Sequence, residues 1–128
     1  YAKTSDVSNF ASANLISYAD LCDASDEVLL MAYDKHIPPY TTAGEIAPLK
    51  WVEQVIKYAR KKCPITKLRL GLAAYGYDWG TGKLVYENTT IENKKSIHIE
   101  TKEKRLKKIE MAKKLGVNKF FVWSYGMY

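Results

Sequence analysis

The chain has 128 residues, of which 47% are hydrophobic and 27% are charged, and this balance is typical of one soluble globular domain covering residues 1–128. No apolar run approaches the roughly 20 residues of a membrane helix. The first residues, Tyr1-Ala2-Lys3-Thr4, lack the basic and then apolar layout of a secretory signal. Because the sequence also begins without Met, we expect it to be a processed or excised piece of a longer protein.

The formal charge of +6 raises the question of nucleic-acid binding, since clustered Lys and Arg release counterions when they neutralise phosphates. The distribution of charge argues against it. Basic residues concentrate in the helical stretches 57–62 and 102–114, where they alternate with apolar positions as on solvated helix faces. We therefore predict no nucleic-acid partner and no membrane partner, although a basic surface favours a weakly attracted anionic polymer such as a bacterial wall.

The two cysteines, Cys22 and Cys63, are too few for a disulfide scaffold and lack the spacing of metal ligands. We expect ordinary half-buried thiols. A disulfide is the alternative, because each cysteine lies a few residues before a predicted core strand and neighbouring strands would bring the two together. The histidines, His36 and His98, have no nearby Cys or His partner, so neither a metal nor another cofactor is predicted.

The first half of the chain alternates helical and strand patterns. A short amphipathic segment ends near residue 21, and the continuous apolar run 28–33 is typical of a parallel strand covered on both faces. Pro38-Pro39 excludes a helix from the loop 34–42. Helical periodicity begins at residue 47 and ends at residue 63, and its apolar face comprises Leu49, Val52, Val55, Ile56 and Ala59.

The second half repeats the alternation with one interruption. A mostly buried strand at 67–75 closes in a turn region at 76–82, and the short segments 84–86 and 97–99 predict a small hairpin-like excursion. Thr101 then caps a helix over 102–115, whose apolar side comprises Leu106, Ile109, Met111, Ala112 and Leu115. A third buried strand follows at 119–123. The element order predicts a parallel α/β structure.

Polar and aromatic residues follow each predicted core strand. In parallel α/β folds, ligands bind beyond the carboxyl ends of the strands. We therefore expect the residues at the strand ends to converge on one face: Tyr33, Asp34, Tyr75, Tyr77, Asp78, Trp79, Trp123 and Tyr125. Such aromatics and carboxylates suit a sugar, whose ring packs on aromatic faces while acidic and phenolic groups bond its hydroxyls. The alternative is that the aromatics only fill the mouth of a barrel.

Other chemistries fit the sequence less well. Gly80-Thr81-Gly82-Lys83 does not match a phosphate-binding loop, and no G-x-S-x-G element is present. His36 lies in the loop beside the candidate site, where we expect a hydrogen-bonding role rather than a catalytic one.

Three segments carry a family resemblance: Val28 to Asp34, Leu70 to Trp79 and Gly116 to Trp123. They resemble the sixth, seventh and eighth strands of family 18 glycoside hydrolases, the chitinase-like family. The branch they most resemble is that of bacterial cell-wall and spore-cortex N-acetylglucosaminidases, in which a tyrosine commonly replaces the arginine of typical chitinases, as Tyr77 does here. The resemblance implies the carboxy-terminal part of a (β/α)8 TIM barrel, with a small β excursion after the seventh strand.

The resemblance also implies an activity and a set of roles. Members of the family cleave polymers that contain N-acetylglucosamine, such as chitin or peptidoglycan, by retaining hydrolysis in which the substrate's own acetamido group attacks. Carried over by position, Tyr33 would bond the acetamido oxygen and Asp34 a sugar hydroxyl. The remaining substrate-binding positions would be Met31 beneath the site, Tyr75 and, more weakly, Tyr77 in the cleft, and Trp123 as the floor under the sugar. An extracellular, wall-associated or spore-associated location follows from the same resemblance.

The family's catalytic acid stands in a D-x-x-D-x-D-x-E motif upstream of everything matched here. We therefore predict no catalytic residue in this chain. The near-match Asp20 to Glu27 has Ser25 where the third Asp belongs, and we expect it to be a coincidence on the wrong side of the barrel. Since three barrel strands leave two open edges, we expect pairing with a missing amino-terminal half or with a second copy. The open alternatives are a non-catalytic carbohydrate-binding or assembly module and an unrelated α/β enzyme.

Overall fold

The computed structural model describes residues 2–6, 11–88 and 96–124. Four α-helices occur in these ranges: α1 (Ala11–Asn14), α2 (Tyr18–Asp23), α3 (Leu49–Ala59) and α4 (Lys102–Lys114). The six strands are β1 (Val28–Leu30), β2 (Leu68–Ala73), β3 (Tyr75–Asp78), β4 (Lys83–Tyr86), β5 (Ile97–Ile99) and β6 (Phe120–Trp123). None of the helices in the described ranges is long and apolar enough to cross a membrane.

A parallel sheet with the order β1-β2-β6 forms the centre of the fold. Leu30 pairs with Leu70 on one side of β2, and Ala73 pairs with Trp123 on the other. The predicted parallel α/β arrangement is confirmed. β1 is three residues shorter than predicted, because the Ala32 N–H turns back to the Leu30 carbonyl and leaves the ladder.

The apolar face of α3 packs against this sheet as predicted, with Val52, Val55, Ile56 and Ala59 fully buried. Leu49 is the exception, since it opens the helix and keeps 41% of its surface exposed.

Two predictions for α4 are wrong, and both concern which face is buried. Leu106 was expected inside but is 49% exposed, whereas Lys108 is 3% exposed. Lys108 and Ala112 lie four residues apart on the buried face, and Leu106 lies about 200° around the helix from Lys108. The ammonium of Lys108 pairs with the buried carboxylate of Glu100, so the basic residues of this stretch are not all solvated.

The third predicted core strand, β6, is largely exposed rather than buried. Phe121, Val122 and Trp123 keep 38%, 39% and 47% of their surface exposed. The physical reason is position: among the described elements β6 pairs with β2 alone and forms one edge of the parallel sheet.

The excursion is a second sheet, with the antiparallel order β4-β3-β5. Two sequence predictions are corrected here: residues 76–78 are strand rather than turn, and β4 and β5 flank β3 instead of pairing with each other. Gly76 makes the arrangement possible, because a Cβ at that position would lie 1.9 Å from the His98 carbonyl oxygen.

Cys22 and Cys63 form a disulfide, so the expectation of free thiols is wrong. Cys22 lies in α2 and Cys63 follows α3, and the strands that come after them, β1 and β2, are parallel neighbours. The bridge therefore ties the two helices together at the amino-terminal edge of the parallel sheet.

Candidate functional site

The site is centred on Asp34, which follows β1 at the carboxyl edge of the parallel sheet. Its φ angle is 58°, in the left-handed region that few residues other than glycine occupy, although Asp tolerates it better than most. The next residue anchors this turn, since the Lys35 N–H donates to the Ile46 carbonyl at 2.8 Å. The backbone thus fixes the direction of the Asp34 side chain.

Two tyrosines hold the Asp34 carboxylate. The hydroxyls of Tyr75 and Tyr77 both donate to Oδ1, at 2.8 and 3.1 Å. Alternate residues of a strand point to the same face, so both reach Asp34 from β3. A single residue separates β2 from β3, and β2 pairs with β1, so the two phenols lie next to the end of β1.

Tyr33 adds a third phenol beside this pair. Gly71 of β2 makes room for its ring, since a Cβ there would lie 3.1 Å from Tyr33 Cε1 and 3.0 Å from the Leu30 carbonyl oxygen. Within the described ranges, the Tyr33 hydroxyl forms no hydrogen bond.

The aromatic rings form a continuous series, which we term the aromatic row: Tyr33, Tyr75, Tyr77 and Trp79. Successive ring centroids lie 6.4, 5.8 and 6.4 Å apart, each pair in an edge-to-face arrangement. The three tyrosines are buried and Trp79 is half-buried. The row therefore forms a rigid wall along the carboxylate.

Burial sets the protonation of the phenols. It raises the pKa of Tyr75 and of Tyr77 far above the usual value near 10, and the negative charge of Asp34 raises both further. Burial, and then the Asp34 charge, also raises the pKa of Tyr33. All three phenols are neutral hydrogen-bond donors at physiological pH.

Asp78 does not take part in this site. Its carboxylate accepts from Ser96 Oγ and Thr81 Oγ1, both at 2.8 Å, and from the Gly80 N–H at 2.9 Å. These donors, Ser96 first, lower the pKa of Asp78. The expected convergence of Asp78 with Asp34 is replaced by a turn-stabilising role that ties β3 to the start of β5.

Met31 and Trp123 lie at the same carboxyl edge, at the ends of β1 and β6. They are 54% and 47% exposed, in contrast to the buried tyrosines. Since β6 is two strands from β1, and strands are about 4.8 Å apart, Trp123 lies on the order of 10 Å across the edge from the end of β1. The peptide bond between Trp123 and Ser124 is cis. Tyr125, also expected here, lies outside the described residues.

The basic residues next to Asp34 in sequence are engaged elsewhere. The Lys35 ammonium lies 5.9 Å from the centre of the Trp51 ring, and His36 Nδ1 lies 3.0 Å from the Thr42 carbonyl oxygen. The predicted hydrogen-bonding role of His36 is confirmed. Along the parts of the chain that are described, Asp34 has no ion-pair partner.

Sequence reasoning missed a cavity of about 350 Å³ beside Tyr75, lined by Ala74, Glu87, Asn88 and Arg105. The Ala74 N–H donates to the Trp123 carbonyl, which places the cavity near the end of β6. Glu87 accepts from Arg105 and from the Lys102 N–H at the start of α4. No sequence motif marks this group, because its residues come from the link between β2 and β3, the segment after β4, and α4.

Most of the described glutamates have carboxylates paired with a cation, and the Glu100 N–H also donates to the carbonyl of Tyr75 in the aromatic row. Six of them are ion-paired with Lys or Arg: Glu27, Glu45, Glu53, Glu87, Glu100 and Glu103. Glu27 precedes β1 and pairs with Arg69 and Lys119 near the starts of β2 and β6, so it lies at the amino-terminal edge, away from the site. The prediction that the Asp20 to Glu27 segment lies on the wrong side is confirmed. No cluster of three or more potential metal ligands occurs in the described residues.

The chain is similar to known proteins over part of their length. No family model matches it. An uncharacterized glycosylase of Bacillus subtilis (strain 168), YvbX, is 32% identical over 78 residues, which cover 61% of this chain and 22% of that protein.

Solved structures of chitinase-like proteins superimpose on nearly the whole chain. A provisionally named sporulation-specific glycosylase of Bacillus subtilis, YdhD, gives a TM-score of 0.80 at 19% identity, covering 96% of this chain and 51% of that one. The spore cortex-lytic enzyme SleL of Bacillus cereus gives a TM-score of 0.78 at 22% identity, and the superposition covers 99% of this chain and 37% of that one. A class V chitinase of Pseudomonas fluorescens Pf-5 gives 0.75 at 19% identity, covering 98% and 50%.

These similarities show which fold the chain has and how much of each matched protein it covers. The chain is a mixed α/β structure that resembles the carboxy-terminal part of chitinase-like barrels. It spans about a fifth of the relative matched by sequence and about half or less of the three structures.

Proposed function

We propose that this chain is the carboxy-terminal part of a family 18 glycoside hydrolase and binds polymers containing N-acetylglucosamine, either chitin or peptidoglycan. The observation that carries the proposal is the arrangement of Tyr33 and Asp34 at the end of β1, with Tyr75 and Tyr77 bonded to the Asp34 carboxylate. The names of the similar proteins, which include glycosylases, a chitinase and a spore cortex-lytic enzyme, support the substrate class.

Each side chain then has a role in substrate-assisted retaining hydrolysis. The Tyr33 hydroxyl donates to the acetamido oxygen of the sugar as that oxygen attacks the anomeric carbon and the glycosidic bond breaks. A glutamic acid protonates the departing oxygen, and water later opens the cyclic intermediate. Asp34 binds a sugar hydroxyl, with Tyr75 and Tyr77 fixing its carboxylate. The exposed Trp123 ring packs under the sugar, and Met31 contacts the site from the end of β1.

The glutamic acid comes, in this proposal, from another segment of the barrel, which pairs with the open edges of the parallel sheet. Two observations support it. The carboxylates of six described glutamates are ion-paired with Lys or Arg, and the edge strands expose apolar side chains, including Leu29 (40%), Phe121 and Val122. The structures with the same fold are about two to three times as long as this chain. Self-association through the same edges is the competing arrangement.

The similar spore proteins support a spore-associated, wall-associated or extracellular location. In such a setting the chain would meet peptidoglycan glycan strands.

Calorimetric titration of the chain with an N-acetylglucosamine tetramer tests the proposal. We expect binding by the wild type, at least about tenfold weaker binding by Trp123→Ala because the stacking surface is lost, and no hydrolysis by the chain alone. The exposed Tyr40, in the loop before α3, supplies the control Tyr40→Ala, which should bind as the wild type does.

The results separate the two functions that remain open. No binding by the wild type would overturn the proposal. If the chain joined to the preceding barrel strands binds the tetramer but fails to cleave either chitin oligomers or peptidoglycan, the alternative of a non-catalytic carbohydrate-binding module replaces the hydrolase.

A further inference from the structure

The charge of Asp34 is not balanced by a cation within the described part of the chain. Its two bonded partners are phenols, and burial together with the Asp34 charge keeps the pKa of each phenol above its usual value. Neutral donors satisfy hydrogen-bonding capacity but carry no positive charge to cancel that of a carboxylate. The site is therefore a half-buried anion in a neutral aromatic wall.

The two basic residues that follow Asp34 in sequence do not neutralise its charge. Lys35 extends over the Trp51 ring and His36 is bonded to the Thr42 carbonyl oxygen, so both neighbours in sequence point to other partners. A half-buried charge is less screened by water than an exposed one, which strengthens its attraction for an incoming cation.

One oxygen of the Asp34 carboxylate has no bonded partner among the described residues. Both tyrosine hydroxyls bond the same oxygen, Oδ1, and within the described ranges Oδ2 accepts no hydrogen bond. A carboxylate oxygen without a bonded partner suits a primary ammonium group, which has three N–H donors and a positive charge.

We propose that Asp34 recognises the free ammonium group of a de-N-acetylated sugar, so that the preferred substrate is a partially de-N-acetylated glycan. This rests on the proposed function, which requires an N-acetylated sugar at Tyr33, and adds a second, neighbouring sugar of the same glycan whose 2-ammonium group faces Asp34 Oδ2. An acetylated sugar places a neutral amide or a hydroxyl there and gains no charge pairing.

Titration with defined tetramers tests the assignment. The probes are the fully acetylated N-acetylglucosamine tetramer and the four tetramers that each carry one free amine at a known position, measured near pH 6, where amines are protonated and carboxylates ionised. We expect at least one amine-bearing tetramer to bind the wild type about tenfold more tightly than the fully acetylated one, and this preference to shrink at high salt.

Asp34→Asn is the informative variant, because Asn has the same shape and also tolerates the left-handed backbone of this position. We expect it to lose the preference, so that the amine-bearing and the fully acetylated tetramers differ by less than about twofold in their affinity for this variant. Glu53→Gln on α3, which removes the same charge from a partly exposed side chain, is the matched control and should keep the preference.

The outcomes distinguish this inference from the function on which it rests. Binding of the acetylated tetramer with no preference for any amine-bearing tetramer overturns the inference and leaves the proposed function standing, as does a preference that survives Asp34→Asn. Binding of no tetramer overturns both.

Discussion

The hydrogen bond from Tyr75 to Asp34 offers a direct test of how the site is built. We predict that Tyr75→Phe lowers the free energy of unfolding by about 2 kcal/mol, because it removes one of two donors to a half-buried carboxylate, and hydrogen bonds to charged groups contribute roughly 1.5–3 kcal/mol. The ring itself stays in place between Tyr33 and Tyr77, so its packing is preserved.

This loss of unfolding free energy corresponds to a measurable fall in the melting temperature. For 128 residues, an unfolding entropy of about 2.1 cal/mol/K per residue gives about 0.27 kcal/mol/K, so 2 kcal/mol corresponds to about 7 °C. Thermal denaturation followed by circular dichroism resolves a change of this size.

Two comparisons decide whether the bond is responsible. Tyr40→Phe removes a hydroxyl from a side chain that is 79% exposed and should leave the melting temperature unchanged within about 1 °C. In an Asp34→Asn background, Tyr75→Phe should cost only about 1 kcal/mol, because the acceptor is then neutral. Equal melting temperatures for Tyr75→Phe and Tyr40→Phe, or an equal cost with Asp and Asn at position 34, would refute the reasoning.

Two further predictions concern the scaffold that carries the site. The Cys22–Cys63 bridge joins residues 41 apart, so opening it should lower the free energy of unfolding by about 4 kcal/mol in the chain-entropy treatment. Denaturant unfolding with and without reductant measures this difference. Identical midpoints would mean that the bridge is absent in solution. Lys108→Met leaves the Glu100 carboxylate buried without its cation and should lower the free energy of unfolding by about 3–5 kcal/mol. Combining it with Glu100→Gln should recover much of that loss. A double variant no more stable than Lys108→Met alone would contradict this account.

Much of the fold follows from local sequence pattern. Continuous apolar runs predicted the parallel strands β1 and β2, and the i, i+3, i+4 spacing of apolar residues predicted α3. The cap at Thr101, which accepts from the Lys104 N–H at 3.3 Å, was predicted because Thr before a helical pattern commonly fills this role. The convergence of Tyr33, Asp34, Tyr75 and Tyr77 was also predicted, since the carboxyl ends of neighbouring parallel strands meet at one edge.

The predictions that failed depend on what lies next to an element rather than on its own pattern. β6 has the composition of a core strand, yet its position at the sheet edge exposes it. Lys108 is buried because Glu100, eight residues earlier, supplies a partner inside the protein.

The sequence by itself determined the order of the core elements, the edge at which the site lies and the gathering there of Tyr33, Asp34, Tyr75 and Tyr77, because these follow from periodicity and the direction of parallel strands. The tertiary structure alone decided that both phenols bond the same Asp34 oxygen, that the neighbouring Lys35 turns toward Trp51, and that Cys22 bonds Cys63. Each of these is a relation in space between residues distant in sequence or free to point in several directions, and only the packed backbone fixes it.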